Sequence, residues 1–274
     1  KFIHFTEKFF LPKLNYDKLV VWTEQMKQKF LLPWGVPEKK VEVMPAALNL
    51  SNYPLDSSGE SVRKKFGNNL ITSIKTLWGT NVKGLEYVVR AMKIVKEKHP
   101  DWKYVIFGDG TERPILDKLV DELGLQENVI MAGEIAPDKC KAVWATTDIA
   151  PHSYVYEFST SISLLEYMAM GKACVVTDIG NVKNFVGEAG VVVKPYDEKA
   201  MAAGIIKLIE NPTLRKEIGR KARKRVEDKY SIKASVNQLE KIYADLKHPE
   251  SKVITTLRRQ TVNIKLSLIG ILRF

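Results

Sequence analysis

Short runs of continuous apolar residues alternate along this chain with longer stretches in which apolar residues recur every three to four positions. Ala173-Cys174-Val175-Val176 and Val191-Val192-Val193 are runs of the first kind, the habit of parallel strands covered on both faces. Asn69-Leu70-Ile71-Thr72-Ser73-Ile74 opens the main alternation. After Gly84, Leu85, Val88, Val89, Met92 and Val95 form one helical stripe. Ile115, Leu116, Leu119 and Leu123 form a second, in a helix that starts at Glu112 and stops at Gly124. A third helix follows the loop Ser159-Thr160-Ser161, runs through Leu164-Leu165-Glu166-Tyr167-Met168-Ala169-Met170 and stops at Gly171. Repeated βα units with right-handed crossovers make an α/β fold with a doubly wound parallel sheet. Ligands of such sheets bind beyond the carboxyl ends of the strands, so the loops after the strands are the places to look for chemistry.

The flanks depart from this rhythm. Leu19-Val20-Val21-Trp22-Thr23 reads as a strand followed by a short helix through Phe30, and Val41-Glu42-Val43-Met44-Pro45 as another strand. Residues 250–274 mix apolar positions from Val253 to Leu272 with Lys252, Arg258, Arg259, Lys265 and Arg273. That tail suits either the surface of an anionic membrane or the packing of a further domain. The predicted organisation is a segment 1–35, a main domain 36–249 and a basic apolar tail 250–274.

A length of 274 residues with 45% hydrophobic residues accommodates one full domain with additional pieces. The formal net charge of +11 suits anionic partners. Much of it lies on helices, as in Arg220-Lys221-Ala222-Arg223-Lys224-Arg225, where a solvated face is the simpler reading. The usual nucleic-acid motifs are missing, so nucleic acid is not an expected partner. Cys140 and Cys174 lie in apolar surroundings and are expected to be buried thiols in a reducing cytoplasm. The histidines show no zinc spacing, and no metal site is expected. No run is long and apolar enough to span a bilayer, and no signal peptide is visible. The native N-terminus is expected to lie upstream of Lys1.

Glu166 is the most telling residue. It sits one turn into a helix otherwise lined with Leu, Met and Ala, behind a loop of hydroxyl residues. Uncapped amides and the positive end of the dipole there suit a phosphate. A carboxylate at that place either faces solvent or accepts hydrogen bonds from a ligand hydroxyl. The segment Ile162 to Lys172 resembles the end of the signature of retaining GT-B glycosyltransferases of the family 4, or group 1, type. Lys83-Gly84-Leu85-Glu86 is similar to the family's Lys-Gly helix. Tyr104-Val105-Ile106-Phe107-Gly108-Asp109-Gly110-Thr111-Glu112-Arg113 is similar to its strand with the following Gly-Asp-Gly turn. Val129 to Ile135 and Thr147-Asp148-Ile149-Ala150-Pro151 match the next two strands. The ordered blocks cover roughly residues 36 to 246.

The resemblance implies the Rossmann-like C-terminal half of a GT-B fold and a role in glycan biosynthesis. The reaction is transfer of a sugar from a UDP- or GDP-sugar to the hydroxyl of a glycan, lipid or other acceptor, with retention, without metal or other cofactor. It further implies that residues 1–35 are a remnant of an N-terminal domain with the interdomain link, that the rest of that domain is a partner, and that the protein is cytoplasmic with the membrane periphery left open. Lys83, with Lys75 near the family's arginine position, would stabilise the leaving diphosphate. Glu166 would hold the ribose hydroxyls. Glu157, one residue off the family spacing, would be the first glutamate. Ser159, Thr160 and Ser161 replace the family's small glycines as the phosphate loop. Gly108, Gly110, Gly133, Glu134 and Ile135 would border the donor, the last three near the base. The family's glutamate after Gly180 is Asn184 here. Two other classes stay open: a nucleotide-sugar-binding module without transfer activity, and a basic protein that binds membrane or nucleic acid.

Overall fold

The computed structural model describes residues 8–155 and 161–246. Near the start, β1 (Leu19–Val21) pairs in parallel with β2 (Val41–Val43), Leu19 opposite Val41. Between them a helical turn, Glu24–Met26, is capped by Thr23, whose hydroxyl accepts from the Met26 amide at 3.1 Å. A π-helical turn, Lys27–Leu31, continues it. Val21, Leu31, Val36 and Val41 make a small core of their own.

The main alternation follows. It comprises α1 (Glu60–Phe66), β3 (Leu70–Ile74), α2 (Thr80–Lys98), β4 (Lys103–Phe107), α3 (Arg113–Glu122), β5 (Val129–Gly133) and α4 (Cys140–Thr146). It continues through β6 (Ile149–His152), α5 (Ile162–Ala169), β7 (Ala173–Thr177), α6 (Val182–Val186), β8 (Val191–Val193), α7 (Glu198–Glu210), α8 (Pro212–Lys229) and α9 (Ile232–Asp245). Six strands form one sheet in the order β5-β4-β3-β6-β7-β8, every neighbouring pair parallel. Counted from β3, this is the 3-2-1-4-5-6 order of doubly wound dinucleotide-binding sheets, and the order reverses between β3 and β6. One face is covered by α2, α3 and α7 through Val88, Met92, Leu116, Leu119, Met201 and Ile205. The other is covered by α1, α4, α5 and α8.

Several sequence expectations shift. The helix expected after Gly84 begins at Thr80, so Lys83 and Gly84 lie inside α2. Gly84 is there for packing rather than for a turn, since a Cβ would stand 2.1 Å from the Ser153 carbonyl oxygen. Ile115 leaves the apolar stripe and is 47% exposed. The buried stripe of α3 runs through Leu116, Leu119 and Val120 instead. The valines of β8 are only half-buried, because β8 is an edge strand. The basic run on α8 is more than a solvated face. Arg223 donates to the carbonyls of Tyr53 at 2.8 Å and Ala169 at 2.6 Å, and Arg225 donates to the Phe185 carbonyl at 2.7 Å. Both cysteines are buried free thiols.

The chain divides into two compact units, residues 1–238 and 239–274. The described part of the second, residues 239–246, holds the end of α9. No helix among the described residues is long and apolar enough to cross a membrane. The readings of the tail 250–274 lie outside the described residues.

Candidate functional site

The loops after β3, β4 and β5 are laced together by backbone hydrogen bonds. The Lys75 amide donates to the Phe107 carbonyl at 2.9 Å, the Leu77 amide to Asp109 at 3.0 Å, and the Gly108 amide to Gly133 at 2.7 Å. This lacing requires glycine. At Gly108 (φ +127°) a Cβ would fall 1.8 Å from the Lys75 carbonyl oxygen, and at Gly110 one would fall 2.4 Å from that of Leu77. The Gly-Asp-Gly turn therefore fixes where the Lys75 backbone leaves the sheet. Below these loops lies a buried polar network. Thr72 shares hydrogen bonds with Thr147 (2.7 Å) and the Tyr167 hydroxyl (2.9 Å), and the Tyr104 hydroxyl donates to Ser73 at 2.9 Å. Each buried hydroxyl is thereby satisfied, which fixes the strand ends at the switch point.

Lys75 emerges where the strand order reverses. Together with Thr80, Asn81, His152, Ser153, Tyr154 and Ser161 it walls a cavity of about 210 Å³. Its ammonium lies 5.6 Å from the centre of the Tyr154 ring. Burial pushes the Lys75 amine down to about 8, against the pull of the Glu166 charge. Glu166, on the inner face of α5, is held above the usual carboxylate range by burial. The hydrogen bond from Tyr53 and the charge of Lys75 offset part of that rise. The Tyr53 hydroxyl donates to Glu166 Oε1 at 3.0 Å. Arg223 binds the carbonyl of Tyr53, so α8 sets the place of the tyrosine.

Ser161 caps α5, its hydroxyl accepting from the Leu164 amide at 3.4 Å. At the other end Gly171 (φ +66°) closes a Schellman turn, with the Lys172 amide on the Tyr167 carbonyl at 3.0 Å. A second cavity, about 190 Å³, shares Tyr154 and Ser161 with the first and reaches Trp22, Thr23, Glu24 and Asn181.

Of the residues expected from sequence, the structure brings Lys75, Glu166 and Ser161 together. Lys83 is exposed on α2 and lines a neighbouring open depression with Tyr87, Arg90 and Tyr196. Gly108, Gly110 and Gly133 shape the strand-end loops. Glu134 is exposed, and Ile135 is half-buried against the core. Glu157, Ser159 and Thr160 lie outside the described residues. Asn184 hydrogen-bonds the Asn181 side chain at 2.9 Å. Among the described residues no group of three or more His, Cys, Asp or Glu side chains is arranged to hold a metal ion. Sequence reasoning missed Tyr53, His152, Tyr154 and Arg223. Tyr53 lies 113 residues from the glutamate it binds, and no local spacing announces such a pair.

The Tyr53 contact is directly testable. Tyr53→Phe removes a donor that favours the ionised glutamate, so the Glu166 titration should move further up. Stability should fall by about 1 kcal/mol, the usual worth of one hydrogen bond. Carboxyl carbon NMR shifts against pH, with urea melts alongside, measure both. An unmoved Glu166 titration would mean that Tyr53 does not tune it.

A twisted parallel sheet with a polar cleft at its switch point, walled by Lys75 with the Glu166 charge acting on that lysine, defines the class of doubly wound α/β proteins. Within that class, this chain belongs to the family of glycosyl transferases group 1, whose model matches residues 60–225. It is 28% identical over 240 residues to an uncharacterized glycosyltransferase of Methanocaldococcus jannaschii, covering 84% of this chain and 60% of the relative. It is 30% identical over 166 residues to the alpha-D-kanosaminyltransferase of Streptomyces kanamyceticus, covering 60% and 43%. The chain thus spans less than two thirds of the length of these relatives. The structure of a glycosyltransferase from Rickettsia africae matches with a TM-score of 0.78 at 20% identity, covering 91% of this chain and 68% of that one. Anabaena HepE in complex with UDP matches with a TM-score of 0.75 at 18% identity, covering 84% and 64%.

Proposed function

We propose that this chain supplies the donor-binding half of a retaining glycosyltransferase that takes its sugar from UDP or GDP and gives it to a hydroxyl acceptor. The observation that carries this reading is the placement of Lys75 and Glu166 together at the switch point, beside the Ser161 cap of α5. A nucleoside diphosphate sugar presents two oxygen-rich parts, the diphosphate and the ribose. The Lys75 ammonium supplies charge where negative charge grows as the glycosidic bond breaks. Glu166 accepts from ribose hydroxyls, taking up the role now filled by the Tyr53 hydroxyl. Lys83 and the loop of Glu157 and Ser159 to Ser161 serve the same diphosphate and sugar. With retention, the leaving diphosphate helps to take the acceptor proton on the face it leaves. The fold neighbour HepE is a complex with UDP, which supports a nucleotide as the kind of ligand. The acceptor side is expected to need more protein than this chain provides, since a cleft must close for donor and acceptor to align.

Calorimetry with UDP and GDP tests the donor reading. Wild type should bind the preferred nucleotide about tenfold or more tightly than its 2′-deoxy analogue, as loss of a hydrogen bond to a charged group predicts. Glu166→Gln should lose affinity for the ribonucleotide while binding the deoxy analogue nearly as wild type does. Equal losses for both ligands would show that Glu166 does not contact the 2′-hydroxyl.

A further inference from the structure

Two adjacent side chains at the end of β6 have polar atoms with nothing to bind. His152 is 2% exposed, yet its Nε2 has no hydrogen-bond partner, and the buried Ser153 hydroxyl has none either. Buried polar groups in folded proteins are nearly always satisfied, and one left open at a cleft points to a missing ligand. Both residues wall the 210 Å³ cavity that also holds Lys75. The surroundings fix the chemistry of the ring. The Tyr154 hydroxyl lies 3.4 Å from His152 Nδ1 and its ring stacks on the imidazole at 6.0 Å, while Tyr167 packs edge-on at 5.5 Å. In the tautomer in which the Tyr154 hydroxyl donates to Nδ1, the proton stands on Nε2 and the open nitrogen is a donor. Burial and the Lys75 charge push the imidazole well below its ordinary range, which keeps it neutral. Across the cavity, α2 begins after Gly79, which has no side chain to cap its amides, and Thr80 and Asn81 line the space. Gly84 allows that first turn to press against the Ser153 carbonyl. Lys75, His152, Ser153 and the first residues of α2 wall one cavity, and no carboxylate is among its wall residues. That combination recognises a phosphate oxygen.

The geometry points to His152 and Ser153 as hydrogen-bond donors to the diphosphate of the nucleotide, working beside Lys75 where a forked guanidinium is absent. This rests on the donor reading above and assigns two residues within it. His152 is then a binding group that holds its proton throughout. It lowers the energy of the leaving diphosphate by hydrogen bonding alone.

The test uses the whole chain with inorganic pyrophosphate, UDP and GDP as probes. Affinities come from calorimetry, and the histidine ring from long-range nitrogen-proton NMR; the chain has four histidines. In wild type, His152 should show the Nε2–H tautomer, and its Nε2 resonance should move when pyrophosphate is added. His152→Leu should weaken pyrophosphate and the preferred nucleotide by about tenfold or more, the ratio for a hydrogen bond to a charged group. His152→Gln, whose amide places a donor near the same point, should keep most of the affinity. Ser153→Ala should weaken both probes more modestly and still fold. If wild type binds none of the three probes, the donor reading itself fails. If wild type binds but His152→Leu binds equally well, the assignment is overturned. Should His152→Leu not fold, an Nδ1–H tautomer or an Nε2 resonance unmoved by pyrophosphate in wild type overturns it as well.

Discussion

Lys75→Met is expected to make the protein more stable while abolishing most of its affinity for a nucleoside diphosphate. The folded amine is pushed down to about 8 from an ordinary 10.5, chiefly by burial. Between those values the unfolded chain binds more protons than the folded one, so stability rises with pH through that window. Below about pH 8 the full cost of the buried charge is present. One pKa unit corresponds to about 1.36 kcal/mol, so the cost is roughly 3 kcal/mol at most. Methionine fits the same space without the charge. Urea melts at pH 7 should therefore show a gain of roughly 1–3 kcal/mol for the variant, and the gain should shrink toward pH 10. Ligand affinity runs the other way. The ammonium is the form that attracts a diphosphate, so wild-type binding should weaken as pH rises through about 8, whereas Lys75→Arg should stay flat across that range. A variant that is less stable at neutral pH, or that binds UDP and GDP as wild type does, would show that Lys75 is a structural residue.

Gly108→Ala should be among the most damaging single substitutions. Two costs add. The residue stands at φ +127°, and its new Cβ would meet the Lys75 carbonyl oxygen at 1.8 Å. Left-handed strain and overpacking against backbone each cost about 1–3 kcal/mol. Together they predict a loss of roughly 2–6 kcal/mol and a fall in melting temperature of about 10 °C. Gly67→Ala is the control. It also has positive φ (+92°), but nothing lies within 4 Å of the added carbon, so only the strain should appear. Equal melting temperatures for the two variants would rule out the lacing of the β3 and β4 loops as the reason for Gly108. Because the clash falls on the Lys75 backbone, the surviving folded Gly108→Ala protein should also bind nucleotide more weakly.

The layering of the sheet was legible because it is written locally. Ala173 to Val176 and the stripe from Leu85 to Val95 need only neighbouring residues to declare strand and helix. Gly171 and Gly124 stop their helices with positive φ, as turn chemistry predicts. The misreadings came where tertiary contact overrode local pattern. Gly84 looked like a helix boundary and is a contact point with Ser153. Ile115 fits an apolar period, yet the core it would face is filled by Leu116 and Leu119. Lys75 and Glu166 were singled out because Glu166 sits in an ordered motif and Lys75 near the position of another. Tyr53, His152 and Arg223 were not, because their roles come from a fold that joins distant segments. A lone histidine after Pro151 gives no sign in sequence that one nitrogen will be buried without a partner.

The seam of the sheet at the switch point bears on how the molecule breathes. β3 and β4 run in register along the whole strand, from Leu70 opposite Lys103 to Ile74 opposite Phe107. β3 meets β6 in register at Ile71 and Ile149, and side chains add to the join, with Thr72 on Thr147 and on Tyr167 of α5 and the Ser73 hydroxyl donating to the Pro151 carbonyl at 3.4 Å. In both hydroxyl pairs either oxygen can act as donor. A ladder of amides parts only by breaking, but hydroxyls can turn and exchange roles as the gap between them changes. The sheet is therefore expected to behave as two cooperative blocks, β5-β4-β3 and β6-β7-β8, sharing a more compliant joint. Amide hydrogen exchange divides along such joints. Since Lys75 follows β3 and Ser153 follows β6, the groups on the two sides of the cleft are expected to exchange their amides with different blocks.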